Sequence, residues 1–199
     1  MRYAIFTDIH GNLEAFTAVL ADAQGERIDE YICLGDIIGY GADPESCIKL
    51  VRENGCLAIA GNHDHAAIGR VDISFFRQEA REAVLWTSRH LSAESQEFLK
   101  NLPFVLHCEY FTAVHGSLFA PELFNYIQTV MDAEYNFRAL DKPVCFCGHS
   151  HVAMAFFDSQ PMTYTLDREI PIDPESKTII NVGSVGPPRD ENPRACYAI

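Results

Sequence analysis

The chain reads as a mixed α/β domain, and three observations predict it. Short apolar runs recur, each followed by a small turn and a polar residue: YAIFTDIHGN, YICLGD, LAIAGNHD, FTAVHGS and VCFCGHSH. In the N-terminal part these runs alternate with stretches of helical spacing, as βαβ units require. The 199 residues suit one compact domain and are too few for two ordinary ones. With no internal repeat, low-complexity tract or Gly/Ser linker to divide it, we expect a single domain over residues 1–199.

The elements follow in order. A first strand starts almost at Met1 and delivers Asp8 and His10 at its end. Leu13 to Ala23 has apolar residues at helical spacing. After the strand that ends at Asp36, Asp43-Pro44 reads as an N-cap followed by proline in the first turn, where a missing N–H is harmless. A third strand leads to Asn62 and His63. Helix then dominates from Phe75 to Leu102 and stops before Pro103, because a residue preceding proline is pushed out of the α region. The partly helical segment of about 66–106 is long enough to act as a cap-like insertion over a pocket. From Val105 onward the text is mostly strand-like, at Phe111–Val114, Val144–Cys147, Val152–Phe157, Met162–Leu166 and Lys177–Val182, with one helical stretch at Asp132–Leu140. Cys196 to Ile199 reads as the start of a further strand, and an exposed sheet edge there would favour a homo-oligomer.

Composition excludes several partners. Fifteen basic against twenty-eight acidic residues give a net charge of −13, which repels long nucleic acid and leaves a small substrate as the expected partner. No apolar run approaches the ~20 residues needed to cross a bilayer. A strand beginning at Met1 leaves no room for a removable signal peptide. Seven cysteines, an odd number without a regular framework, fit free thiols in a reducing cytoplasm.

Strands that finish with ligand residues at one sheet edge gather distant positions around one point. Here they would gather Asp8, His10, Asp36, Asn62, His115, His149 and His151. Seven oxygen and imidazole donors exceed what one ion takes while keeping a position open for substrate. Two divalent ions sharing a carboxylate would use them all, and such pairs, about 3.5–4 Å apart, hydrolyse phosphoesters. With no thiolate in the set, manganese is the first expectation, with iron, nickel or zinc as alternatives. Taken singly, a Gly-Asp pair is often a turn and a histidine often a core residue. Five of the eight histidines falling in these motifs favours metal.

In Asp8-Ile9-His10, Gly35-Asp36, Gly61-Asn62-His63-Asp64, His115-Gly116-Ser117 and Gly148-His149-Ser150-His151, the chain resembles the calcineurin-like metallophosphoesterases, and most of all their small bacterial and archaeal phosphodiesterases. The likeness continues between motifs, in AREAVLWTSRHLS and INVGSVGPPRDENPRACYAI. The resemblance implies a two-sheet β-sandwich flanked by helices, in four layers α/β/β/α, with the motifs in loops along one edge. It implies that Asp8, His10 and His151 hold one ion, that Asn62, His115 and His149 hold the other, and that Asp36 bridges them. His63 would be the general acid that protonates the leaving oxygen, with Asp64 orienting its ring, while a hydroxide held between the ions attacks a small phosphodiester. Where the Ser/Thr protein phosphatases of the superfamily carry Asp-Arg-Gly, this chain has Gly39-Tyr40-Gly41, which argues against that activity. A phosphomonoesterase or nucleotide phosphatase is the alternative within the enzyme class, and a binding scaffold without turnover the alternative outside it. The intact ligand set and His63 favour turnover.

Asn12, Tyr40 and Arg189 are the expected substrate contacts. Asn12 follows the first motif directly, Tyr40 stands between two glycines after the second, and Arg189 ends a Gly-Pro-rich loop with a bidentate phosphate-binding fork. Each also has a plain structural reading. His65 reads equally as a substrate contact or a structural residue, and His90 and His107 as structural. Cys145 and Cys147 alternate in a strand and read as buried packing. Trp86 is expected to pack its helix on the core, or to wall the pocket.

Overall fold

The computed structural model describes residues 1–199. Strands β1 (Tyr3–Phe6), β2 (Glu30–Cys33) and β3 (Leu57–Ala58) form a parallel three-stranded sheet in that order. Helices α1 (Leu13–Gln24) and α2 (Pro44–Glu53) make the two crossovers that parallel neighbours require. A mixed six-stranded sheet follows, built from β4 (Val105–His107), β5 (Phe111–Val114), β6 (Val144–Cys147), β7 (Ala153–Phe157), β8 (Thr163–Thr165) and β9 (Thr178–Val182), in the order β4-β5-β6-β9-β7-β8. Helices α3 (Asn62–Ala67), α4 (Gln78–His90) and α5 (Ala93–Lys100) lie between the sheets in sequence, and α6 (Val130–Ala139) lies within the second.

Alternation along the strands sets the layers, since successive side chains face opposite ways. Ile5, Ile32 and Leu34 join Phe111, Val144 and Ile180 in a core between the two sheets. Their sequence neighbours Phe6 and Cys33 turn outward to pack on Phe16, Val19, Ile48 and Val51 from α1 and α2. On the far side Cys145, Cys147, Phe156 and Ile179 meet Ala133 and Phe137 of α6. The result is the α/β/β/α sandwich. Cys145 and Cys147 are part of that packing, as the alternating strand implies. Burying a side chain of the size of Phe6 or Ile32 contributes roughly 1.5–3 kcal/mol, and the three clusters between the four layers hold many such side chains.

Two expectations are corrected. Asn62, His63 and Asp64 are not in a loop: they open α3, after a β3 of only two residues. Asp43 is the N-cap of α2 with Pro44 in its first turn, as expected, although the Asp43 side chain makes no cap hydrogen bond. Trp86 packs neither core nor pocket, because α4 buries Ala80, Val84 and Thr87, a face that Trp86 does not share; it is exposed and stacked on His90 at 4.0 Å. His65 is buried, edge-on to Phe104 at 5.0 Å and Phe124 at 6.0 Å, so it is structural. The C-terminal residues do take up sheet geometry: Ala198 and Ile5 exchange two backbone hydrogen bonds of 2.9 Å along the outer side of β1. No helix is long and apolar enough to cross a membrane.

Candidate metal centre

The ends of β1, β2 and β6 turn sharply at the donor residues. Asp8, His10, Asp36, His149 and His151 all have φ between 51° and 66°, the left-handed region that costs a non-glycine residue roughly 1–3 kcal/mol. Hydrogen bonds hold the turns in place: Asp8 N–H donates to Gly35 O at 3.0 Å and His10 N–H to Asp36 O at 2.9 Å. The loop after β9 fastens the other side, with Val185 N–H on Thr7 O, Gly186 N–H on Asp8 O and Ser184 Oγ on Asp8 O. Asn181 Nδ2 donates to Gly148 O and to Ser150 Oγ, fixing the Gly148–His151 turn. Their segment, INVGSVG, stands out in the sequence, but these bracing contacts do not, since each joins positions distant along the chain.

The converging atoms form two groups that share one oxygen. In the first, Asp8 Oδ1 lies 3.2 Å from His151 Nε2 and 3.7 Å from His10 Nε2, and the two Nε2 atoms are 3.2 Å apart. In the second, His115 Nε2 lies 3.2 Å from both Asn62 Oδ1 and His149 Nδ1. Asp36 Oδ2 belongs to both, 3.5 Å from His10 Nε2 and 3.4 Å from His115 Nε2. Its other oxygen is taken by His63 N–H at 2.8 Å.

This donor set fits divalent ions. An ion with bonds of about 2.0–2.2 Å to nitrogen and oxygen has donor–donor edges of roughly 3.0–3.6 Å, which these separations match closely. The Nδ1 atoms of His10, His115 and His151 sit 3.1, 2.8 and 2.5 Å from the carbonyls of Ile38, Leu34 and Pro187. A neutral ring donating through Nδ1 presents the Nε2 lone pair to the centre, the usual outer arrangement of metal-binding histidines. Asp8 Oδ1 is buried and has no hydrogen-bond partner, although Oδ2 accepts from Thr7 Oγ1 and His149 N–H. Lone pairs that face one another without protons need a cation between them.

Electrostatics point the same way. Burial raises the cost of charge on Asp36, but His115, His63 and His10 around it hold its carboxyl well below the usual range. Burial disfavours a charged His115, yet Asp36 outweighs it and pushes the imidazole up to about 9. His10 and His149 go the other way, down to about 3, because burial dominates. The centre therefore draws positive charge while keeping most of its imidazoles neutral.

His63 stands beside the donors, its ring 4.7 Å from His10 and 4.9 Å from Tyr40. Its Nδ1 is buried without a partner, against Gly39, where a Cβ would come within 2.6 Å. Asp64 does not reach that ring. Its Oδ1 accepts the N–H of Ile37 and Ile38, and its Oδ2 that of Gly61, so it caps α3 and ties it to the Asp36 turn. The expected ring-orienting role of Asp64 is thus corrected to a structural one.

A cavity of about 780 Å³ opens over the centre, bordered by Asp36, Asn62, His63, His149 and His151. Tyr40 and Arg189, two expected contacts, line it. Asn12 does not: its side chain accepts Ala15 N–H as the N-cap of α1. Sequence reading missed Tyr126, stacked on His149 at 3.9 Å, and the rim residues Phe75, Phe76, Arg77, Glu79 and Gln128. The dense Phe-Phe-Arg text ahead of α4 was the available signal for part of that rim; Tyr126 had none.

A two-sheet sandwich with Asp, Asn and His donors at its strand ends defines a metallophosphoesterase architecture. The chain belongs to the calcineurin-like phosphoesterase superfamily, whose domain model matches residues 1–199. It is 40% identical to a metallophosphoesterase from Sphaerobacter thermophilus, with a TM-score of 0.86 over 99% of this chain and 82% of that one. It is 36% identical to the uncharacterized protein MJ0912 of Methanocaldococcus jannaschii, over 98% of this chain and 81% of that protein. The hypothetical protein PH1004 from Pyrococcus horikoshii OT3 shares the fold, with a TM-score of 0.71 at 19% identity over 92% of this chain and 76% of that one.

Proposed function

We propose that the protein is a dinuclear metal-dependent phosphodiesterase acting on small phosphodiesters. Asp8, His10 and His151 would hold one ion, Asn62, His115 and His149 the other, with Asp36 shared; manganese suits the donors, as do iron, nickel and zinc. The observation that carries the reading is the shared Asp36 Oδ2, within 3.5 Å of donors in both groups. Bound there, divalent ions supply Lewis-acid activation of water and offset charge on the phosphoryl oxygens.

The chain's own residues do the rest. Nδ1 of His63 packs on Gly39, so the ring's other edge faces the cavity, where Nε2 can pass a proton to the departing oxygen. Burial lowers the pKa of His63, with Asp36 pulling against it. Tyr40, Tyr126 and Arg189 border the cavity and position the ester. The rings of Tyr40 and Tyr126, packed against His10 and His149 beside the centre, give an ester's organic group an apolar surface, which favours a diester. The segment of about 66–106 contributes its first half to the cavity rim, in line with a cap. Seven unpaired cysteines fit a reducing compartment, and we place the activity in the cytoplasm.

The test is hydrolysis of bis(p-nitrophenyl) phosphate by metal-stripped protein titrated with manganese at neutral pH. Metal-dependent turnover is expected. His63→Ala should keep its metals and lose activity mainly on diesters with poor leaving groups, whereas Asp36→Ala should lose metal and activity together. Tight metal binding with no turnover in the wild type would refute the proposal.

A further inference from the structure

We propose that the wall formed by the residues ahead of α4 is a leaving-group subsite for a nucleotide, with a base lying on Phe75 and Phe76 and a phosphate on Arg77. The inference rests on the phosphodiesterase reading and names its substrate class. His63 marks the side from which the leaving group departs, because a proton donor must reach that oxygen. The rings around His63 therefore define what the leaving group meets: Tyr40 at 4.9 Å and Phe76 at 5.1 Å. Beyond Phe76 the same wall carries Phe75, 91% exposed, and Arg77.

Neither residue is used by the fold. Phe75 touches no buried core, and such an exposed ring beside a cavity is a stacking surface that any base can use. Arg77 pairs with no carboxylate, although the chain as a whole carries a net charge of −13. Its fork suits a phosphate bidentately. Arg77 is also the N-cap of α4, which starts without a side-chain cap and so adds its open N–H end to the positive potential. Glu79, on the same rim, offers an acceptor to a ribose hydroxyl or base amino group. At about 780 Å³ the cavity has room for more than an isolated phosphate.

A 5′-phosphorylated dinucleotide meets these demands. Water attacks the internucleotide phosphorus, the bond to the 3′-oxygen of the first nucleotide breaks, and His63 gives that oxygen its proton. The departing nucleotide carries the 5′-phosphate that Arg77 holds, and two nucleoside 5′-monophosphates result.

The experiment compares kcat/KM of the manganese-loaded protein for pApA, for ApA without the terminal phosphate, and for bis(p-nitrophenyl) phosphate. The wild type should prefer pApA over ApA at least tenfold, and Arg77→Gln should bring that ratio near one. Arg81→Gln, exposed one turn further along α4 and outside the cavity, should keep it. Titration calorimetry with AMP should show weaker binding in Arg77→Gln and in Phe75→Ala. Equal rates for pApA and ApA in the wild type, or a ratio that survives Arg77→Gln, overturn the subsite while bis(p-nitrophenyl) phosphate turnover upholds the diesterase. No turnover of any of the three overturns both.

Discussion

Replacing Gly61 by alanine isolates the dependence of the metal centre on Asp36. Gly61 has φ −100° and ψ 167°, extended backbone that alanine adopts freely, so only collision matters. An added Cβ would overlap the backbone N and Oδ1 of Asp36 and stand 2.8 Å from its Cα, where carbon atoms normally keep about 3.5–4.0 Å. The Asp36 turn cannot retreat, since its carbonyl accepts from His10 N–H at 2.9 Å and its Oδ1 from His63 N–H at 2.8 Å. The cost falls at the upper end of the ~1–3 kcal/mol usual for overpacking. At about 2–4 °C per kcal/mol for a domain of this size, Tm should drop by several degrees, up to about 12 °C.

The sharper consequence is for metal. Shifting the oxygen that both donor groups share should weaken binding by about 10–100-fold, the range seen when partners of a metal ligand are disturbed. Gly55→Ala is the control: Gly55 has φ +62° with nothing within 4 Å of a Cβ, so it bears a conformational cost of roughly 1–2 kcal/mol and no collision. Thermal melts and manganese titration calorimetry on stripped protein separate the two. Both variants should melt earlier, but only Gly61→Ala should lose affinity. Equal metal affinity in the two would refute the placement of Asp36 as the carboxylate shared by both donor groups.

Stripping the metal should lower Tm, because a ligand that binds only the folded chain adds about 2.7 kcal/mol at a hundredfold excess over Kd, worth roughly 5–11 °C; an unchanged melt would mean that the donors do not bind in the folded state. Burial, with Arg70 adding to it, holds the pKa of His65 below its ordinary 6.5, so the unfolded chain takes up that proton first. The contribution of His65 to stability should therefore fall as pH drops from about 6.5 through the lowered value and stay constant above it, and His65→Phe should make the acid slope shallower in pH-dependent melts. Burial pushes the thiols of Cys47 and Cys147 up to about 12 and those of Cys33 and Cys145 well above their ordinary value. Native alkylation at pH 8, read by mass, should reach the half-buried Cys56, Cys108 and Cys196 before the four buried thiols, and rapid labelling of Cys145 or Cys147 would contradict the packing of β6.

The strands of the second sheet were legible because alternation there coincides with burial on both faces: Phe111–Val114 and Val144–Cys147 have the bounds read from sequence. Helix α3 was not, since NHDHAA carries no apolar period and is held by the Asp64 carboxylate on Gly61 N–H. The same helix explains why Asp64 misled. Adjacency in sequence suggests contact with His63, but neighbours on a helix point about 100° apart and do not face one another. Asn12 misled for a related reason, as capping uses the very oxygen a substrate would need. The donor motifs were readable as residue types in order, whereas the left-handed backbone that aims five of them is a property of the packed turns alone.

That strain is informative about how the centre works. A left-handed Asp or His is disfavoured by itself, and five at one point persist only if the surroundings over-determine them. The hydrogen bonds from Val185, Gly186 and Ser184 to Thr7 and Asp8, and from His151 to Pro187, are that surrounding. Because the loop after β9 carries Pro187 and Arg189 as well, the turn that braces the donors also forms part of the cavity mouth. Bracing and the shape of the cavity mouth are therefore coupled. A change in the Gly183–Arg189 loop will disturb Asp8 and His151, whereas Phe75 and Arg77 share no hydrogen bond with any donor, so replacing them should leave the donors in place.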